Sequence, residues 1–239
     1  MAASTLLFAC ADQRAVRRLP IPDRALLEPA IALATPSTVK ITGSACGLST
    51  AGSGVVVSAH LVLTAAHVVA GATETRVVDS VGEHQAIPVI VDPLSDLAML
   101  YVDALGEAPM AINDEPSDRG TVGAVLGYPH AGDLEASAAV VLDSYAADGH
   151  DIYGRQSIVR PVLEVQAQIL PGSSGGPLVN SQGALIGMVF GQSEDDLDIG
   201  YALTSAAISD VVDEGLRLTQ EGPLPASTEE CLPAGAVGS

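Results

Sequence analysis

The chain has 239 residues, 48% of them hydrophobic and 16% charged, enough apolar material for one large domain or two small ones around a substantial core. Its 10 Lys and Arg stand against 29 Asp and Glu, a formal charge of -19 that repels phosphate backbones and anionic membrane surfaces and weighs against a nucleic acid partner. Trp is absent and aromatics are 3%, which leaves no stacking platform for bases or sugars, and no run of about 18 uninterrupted apolar residues offers a transmembrane helix.

Residues 1–36 lack strand alternation and carry Arg14, Arg17, Arg18 and Arg24, so they read as an N-terminal tether. Within it, LLFAC ending at Cys10 faintly resembles a lipoprotein cleavage site, although no basic residue precedes it and the apolar part is short. From Ser37 the pattern changes to short β-like runs: 39–41, 52–58, 61–64, 74–80, 86–91 and 97–102, enough for one closed barrel over about 37–105. Pro- and Gly-bearing sequence at 106–120 reads as a connector. A second series follows at 121–129, 135–145, 160–167, 177–179, 184–191 and 199–204, a second barrel over about 121–204. Thr204 is a capping type of residue, and Ile208, Val211, Val212 and Leu216 share one face of a helix over 205–218. Residues 219–239 read as a coil tail. The fold class is therefore all-β, two six-stranded antiparallel barrels with a short C-terminal helix.

Cys10, Cys46 and Cys231 fit no C-x-x-C metal or redox pattern. A bridge from Cys46 to Cys231 is expected, because Cys231 lies in a loose Pro/Gly/Ser stretch that needs a fastening, and it implies an oxidising compartment. The alternative is three unlinked thiols in a reducing one.

One stretch is built to present a single reactive side chain. In PGSSGGPLV, residues 171–179, Gly172, Gly175 and Gly176 surround Ser174 with backbone free to take positive φ and to aim N–H groups at one point. A serine nucleophile needs a base and a group that orients it. His67 in LTAAHVV and Asp96 in SDLAML, each at the edge of a strand-like run, supply the best set; His60, His84, His130 and His150 sit in polar or Gly/Pro settings and are expected at the surface. Chain order narrows the fold. The string also satisfies G-x-S-x-G, but no histidine follows residue 150, as an α/β-hydrolase requires, and only Asp12 and Asp23 precede His67, which disfavours the subtilisin order. His, Asp, Ser is the order left.

LTAAHVV, SDLAML and GSSGGPLV are similar to the three motifs of trypsin-like serine proteases. More narrowly, PSTVKI, GYP at 127–129, DIYG at 151–154, GYALT after the serine strand and one cysteine near each end of the domain resemble the protease domain of actinobacterial membrane-anchored periplasmic serine proteases, the mycobacterial acid-resistance type. The resemblance implies a domain over 37–218, a cleft between the barrels, protein or peptide substrates, no cofactor and no metal. It implies an oxyanion hole from the N–H groups of Gly172 and Ser174. It also implies an S1 floor near Gln168 with Val189, Phe190 and Gly191 as a wall; none is charged, so an uncharged P1 residue is expected. The implied location is extracytoplasmic, periplasmic or secreted, with two routes to a membrane: an anchor upstream of this chain, or lipidation at Cys10. Ser173 departs from the family, whose trypsin-like members commonly carry an aspartate there that pairs with a freed N-terminal amine. Against a serine endopeptidase of cell-envelope stress response or protein processing stands one alternative from another class, a catalytically silent trypsin-fold binding module.

Overall fold

A computed structural model describes residues 18–228 and 230–233. Twelve strands form two closed six-stranded antiparallel barrels. The first contains β1 (Thr38–Ala45), β2 (Leu48–Ser58), β3 (Leu61–Thr64), β4 (Ala72–Val78), β5 (Glu83–Asp92) and β6 (Leu97–Tyr101), joined in the order β1-β2-β3-β6-β5-β4. The second contains β7 (Val122–Gly127), β8 (Glu135–His150), β9 (Ser157–Gln166), β10 (Pro177–Asn180), β11 (Leu185–Gln192) and β12 (Ile199–Thr204), joined in the order β10-β11-β12-β9-β8-β7.

The barrels close because aliphatic residues point inward from every strand. Leu61, Leu63, Leu97, Met99 and Leu100 are wholly buried in the first, and Val165, Leu178, Val189 and Ala202 in the second. Each fully buried Leu or Val contributes about 1.5–3 kcal/mol relative to exposure, so a core with so few rings still closes. Small residues bring strands close: a Cβ at Gly187 would meet the Leu203 carbonyl oxygen at 2.6 Å.

Four sequence expectations change. The tether is partly structured: Glu28–Ala34 form helix α1, with a proline in its first turn, and Leu27, Ala30, Ile31 and Ala34 are buried where α1 packs on β7 and β10. Upstream of it, Arg18 pairs with Asp196 and Asp198, and the Leu19 N–H donates to Gln166 Oε1 at 3.1 Å. Cys10 lies outside the described residues. The β8–β9 hairpin runs past Tyr145 to His150 and back from Ser157, because residues 145–150 alternate half-buried and exposed positions without large apolar residues to announce a strand. Helix α3 (Ser205–Glu221), capped by Thr204 Oγ1 accepting from the Ala207 N–H, buries Ile208 and Val212, but its next contact is Gly215 rather than Leu216. A Cβ at Gly215 would stand 3.1 Å from Met99 and 3.3 Å from Leu61, so the helix lies almost directly on the first barrel while Leu216 stays 37% exposed.

His84 is the fourth. It is half-buried, and its Nε2 meets Asp79 Oδ1 at 2.9 Å, whereas His60, His130 and His150 are exposed. The connector 106–120 crosses both barrels: the Met110 N–H donates to Val56 O and the Asn113 N–H to Leu185 O, both at 2.8 Å. Beyond α3 the tail is held, through the Ala226 N–H to Pro88 O at 2.8 Å and the bridge between Cys46 and Cys231. That bridge closes a separation of 185 residues, an unfolded-state constraint of about 5 kcal/mol in the chain-entropy picture.

Candidate active site

His67 stands on a single helical turn, α2 (Ala66–Val69), directly after β3. Ala66, Val68 and Val69 are buried and fix the turn, which leaves the imidazole at the barrel edge. Asp96 occupies the turn between β5 and β6 at φ 59°, a left-handed conformation that aspartate tolerates better than most residues. Its carboxylate holds the histidine twice: Oδ1 accepts from the His67 backbone N–H at 3.0 Å, and Oδ2 lies 2.8 Å from Nδ1. The Asp96 carbonyl in turn accepts from the Ala66 N–H at 3.2 Å. With Nδ1 committed to the carboxylate, Nε2 is the nitrogen left to accept a proton.

Burial of the ring pulls the His67 pKa down, but the charge and hydrogen bonds of Asp96 outweigh it, and the net shift is upward from the ordinary imidazole value; Arg160 opposes part of that rise.

Ser174 comes from the second barrel, in the turn between β9 and β10, and lines the same cleft of about 700 Å³ as His67 and Asp96. Its turn is shaped by glycines where nothing else fits. Gly175 has φ 83°, and a Cβ there would run into Ser53 O and Thr64 Oγ1; Gly172 has φ 98°, and a Cβ there would stand 2.7 Å from Tyr128 O. The turn is fastened from the first barrel by Ser53, which is fully buried. The Ser53 N–H donates to Ser174 O at 2.8 Å, Ser53 Oγ donates to Gly172 O at 2.7 Å, and the same Oγ accepts from the Tyr128 N–H at 2.8 Å. Thr64 Oγ1 then donates to Ser53 O at 2.7 Å.

The peptide preceding Gly172 is oriented by the turn at 128–132. The His130 N–H donates to Pro171 O at 2.7 Å, and because a trans peptide points its C=O and N–H in opposite directions, the Gly172 N–H faces away from that turn. Among the described residues neither the Gly172 N–H nor the Ser174 N–H has a hydrogen-bond acceptor. Two unused donors thus flank the Ser174 hydroxyl in the chain.

The wall and floor of the cleft differ from expectation in two places. Phe190 and Gly191 line it, and the register of β11 against β12 shifts between Val189 and Gly191, a bulge that re-aims Phe190. Val189 instead is buried in the second core. Gln168 is exposed and does not line the cleft; Ile169 and Leu170 do. A Cβ added to Gly200 would collide with Ile169, so the isoleucine fills the space that this glycine leaves open. The one-residue offset follows from the bend after β9, where the strand period ends and alternation no longer tells which side chain turns inward. Ser173 is buried, with its Cα 3.0 Å from a Cβ placed on Gly127, so the serine turn packs closely against the end of β7. Ser53 and the turn at 128–132 were beyond sequence reasoning; a buried serine in GSGVVV and a GYP turn carry no signal of partners more than 70 residues away.

Residues 52–188, more than half of the chain, match the trypsin-like peptidase domain. The chain belongs to the trypsin-like peptidase family. It is 37% identical over 141 residues to the serine protease Rv3671c of Mycobacterium tuberculosis, a match covering 59% of this chain and 36% of that protein, and 30% identical over 138 residues to a probable periplasmic DegP-like serine endoprotease of Pseudomonas fulva, covering 55% and 27%. The chain thus spans well under half the length of these curated relatives. Its structure superposes on the active form of the Rv3671c protease with a TM-score of 0.82 at 35% identity, covering 91% of this chain and 97% of the other. For the inactive form the TM-score is 0.73 at 34% identity, covering 85% and 98%.

Proposed function

We propose that the chain is a serine endopeptidase that cleaves peptide bonds through an acyl-enzyme, with Ser174 as nucleophile, His67 as general base and then acid, and Asp96 as the group that orients the imidazole. The observation that carries this reading is the Asp96 clamp on Nδ1, 2.8 Å away, in the same cleft as a serine flanked by two unused backbone donors. His67 takes the Ser174 proton as the hydroxyl attacks the substrate carbonyl. The tetrahedral oxyanion is held by the Gly172 and Ser174 N–H groups, each such donor being worth about 3–4 kcal/mol in well-studied serine hydrolases. The imidazolium, stabilised by Asp96, then protonates the leaving amine, and water repeats the cycle on the acyl-enzyme.

Ile169, Leu170, Phe190 and Gly191 give an apolar pocket beside Ser174 and fit an uncharged P1 side chain of modest size. Substrates are proteins or peptides. The bridge between Cys46 and Cys231 and the naming of a relative as periplasmic favour an extracytoplasmic site of action, in envelope stress response or protein processing. Among the described residues no helix is long and apolar enough to cross a membrane.

The test is reaction with a fluorophosphonate probe beside turnover of a peptide library. The wild type should be labelled on Ser174 and cleave peptides, and Ser174→Ala should do neither while melting at the wild-type temperature. A wild type that is neither labelled nor active would instead favour the silent binding module.

A further inference from the structure

Arg160, on β9, is a cation of unusual standing in this protein. Its side chain is partly buried and reaches from the second barrel to the first, where Nε donates to Leu94 O at 2.7 Å; Nη2 donates to His150 O at 2.9 Å, and the guanidinium carbon lies 5.8 Å from the centre of the Phe190 ring. These contacts fix the group without neutralising it. A guanidinium has five N–H donors, and among the described residues two of them are engaged, both by carbonyls.

The charges of Asp96, Asp92 and Asp151 favour the cation from a distance, but each carboxylate directs its hydrogen bonds elsewhere. Asp96 holds His67, Asp92 accepts from the Leu94 N–H and the Ser95 hydroxyl, and Asp151 accepts from the Tyr153 and Arg155 N–H groups. By contrast Arg18, Arg24, Arg76, Arg155 and Arg217 each form an ion pair with a carboxylate. Burial pulls the Arg160 pKa down, as befits a charge partly removed from water. Among the described residues Arg160 forms no ion pair at contact distance, and it sits, partly desolvated, on the wall of the cleft that holds Ser174.

We propose that Arg160 and Phe190 form a specificity subsite that binds an acidic side chain of the substrate next to the residue seated in the apolar pocket. The carboxylate would meet the free edge of the guanidinium, and the side-chain methylenes would lie along the ring. The proposal rests on the endopeptidase reading. It adds a preference that the apolar pocket does not supply, since that pocket selects an uncharged residue.

The test uses fluorogenic peptides that share one apolar residue for the pocket and carry Glu or Gln at each flanking position in turn. The wild type should prefer Glu over Gln at one position by on the order of tenfold in kcat/KM, chiefly through KM, and the preference should shrink with added salt. In Arg160→Gln the Glu/Gln ratio should fall to about one, whatever the overall rate. Arg160→Lys should keep part of it, because the ammonium retains the charge but not the planar fork. No position favouring Glu in the wild type, or a ratio that survives in Arg160→Gln, overturns the proposal. Failure of the endopeptidase reading would show separately, as absence of hydrolysis and of fluorophosphonate labelling. In that event anisotropy binding of the same peptides to the Ser174→Ala chain decides the subsite alone: tighter binding of one Glu peptide supports it, and equal binding of every Glu and Gln pair contradicts it.

Discussion

The two halves of the site are held in different ways. On the first barrel, His67 and Asp96 hold each other: the aspartate accepts from both the backbone and the ring of the histidine, and the helical turn beneath is anchored by its own buried residues. On the second barrel, the serine turn depends on neighbours. Ser53 and Thr64 reach it from the first barrel, the turn at 128–132 orients the peptide before Gly172, and three glycines keep it free of Cβ atoms. The histidine–aspartate half is a local motif, whereas the serine turn is a product of barrel docking. Damage to the docking should therefore leave the Asp96 clamp on His67 in place and harm the chemistry.

The largest expected effect strikes the local half. Asp96→Asn should lower kcat by about 10⁴ by analogy with other triads, because the amide presents an N–H to Nδ1 and selects the wrong tautomer. A loss under tenfold in steady-state peptide hydrolysis would mean that the imidazole is oriented by something else. On the docked half, Gly175→Ala should be next, since the left-handed backbone costs about 1–3 kcal/mol and the new Cβ collides with Ser53 O and Thr64 Oγ1. A thermal melt unchanged from wild type would show that the turn relaxes freely.

Ser53→Ala should be milder, about 1–3 kcal/mol for leaving Gly172 O and the Tyr128 N–H without their partner, seen as a lower kcat with KM less affected. It sharpens the contrast, because the midpoint of the pH–rate profile should not move. The smallest effect is on stability. The folded His67 pKa is raised, so its contribution is fully present below the unfolded value near 6.5 and is lost as pH rises through the folded value. Chemical denaturation across that window should show His67→Gln losing this pH dependence.

The same division explains what was legible in the sequence. The barrels could be read because each strand carries its own run of aliphatic residues between turn residues, and the histidine and aspartate because each sits in a short motif at a strand edge. The Cys46 to Cys231 bridge followed from a cysteine in a loose tail. What stayed hidden was set by docking. Ser53 looks like one more strand residue until Gly172 O is found against its hydroxyl. Arg160 looks like an exposed strand arginine until Leu94 O and Phe190 are seen around it. Helix α1 was hidden because its apolar face is only Ala30, Ile31 and Ala34, too short a period to stand out from a tether.

The proposed chemistry rests on activation of Ser174 by His67 and its carboxylate. The most direct measurement is the rate of fluorophosphonate labelling of Ser174 against pH in wild type and His67→Ala. The wild-type rate should rise with pH through a single inflection above the ordinary imidazole value, and His67→Ala should lose both the inflection and nearly all of the rate. Labelling independent of pH, or equally fast without the histidine, would contradict it.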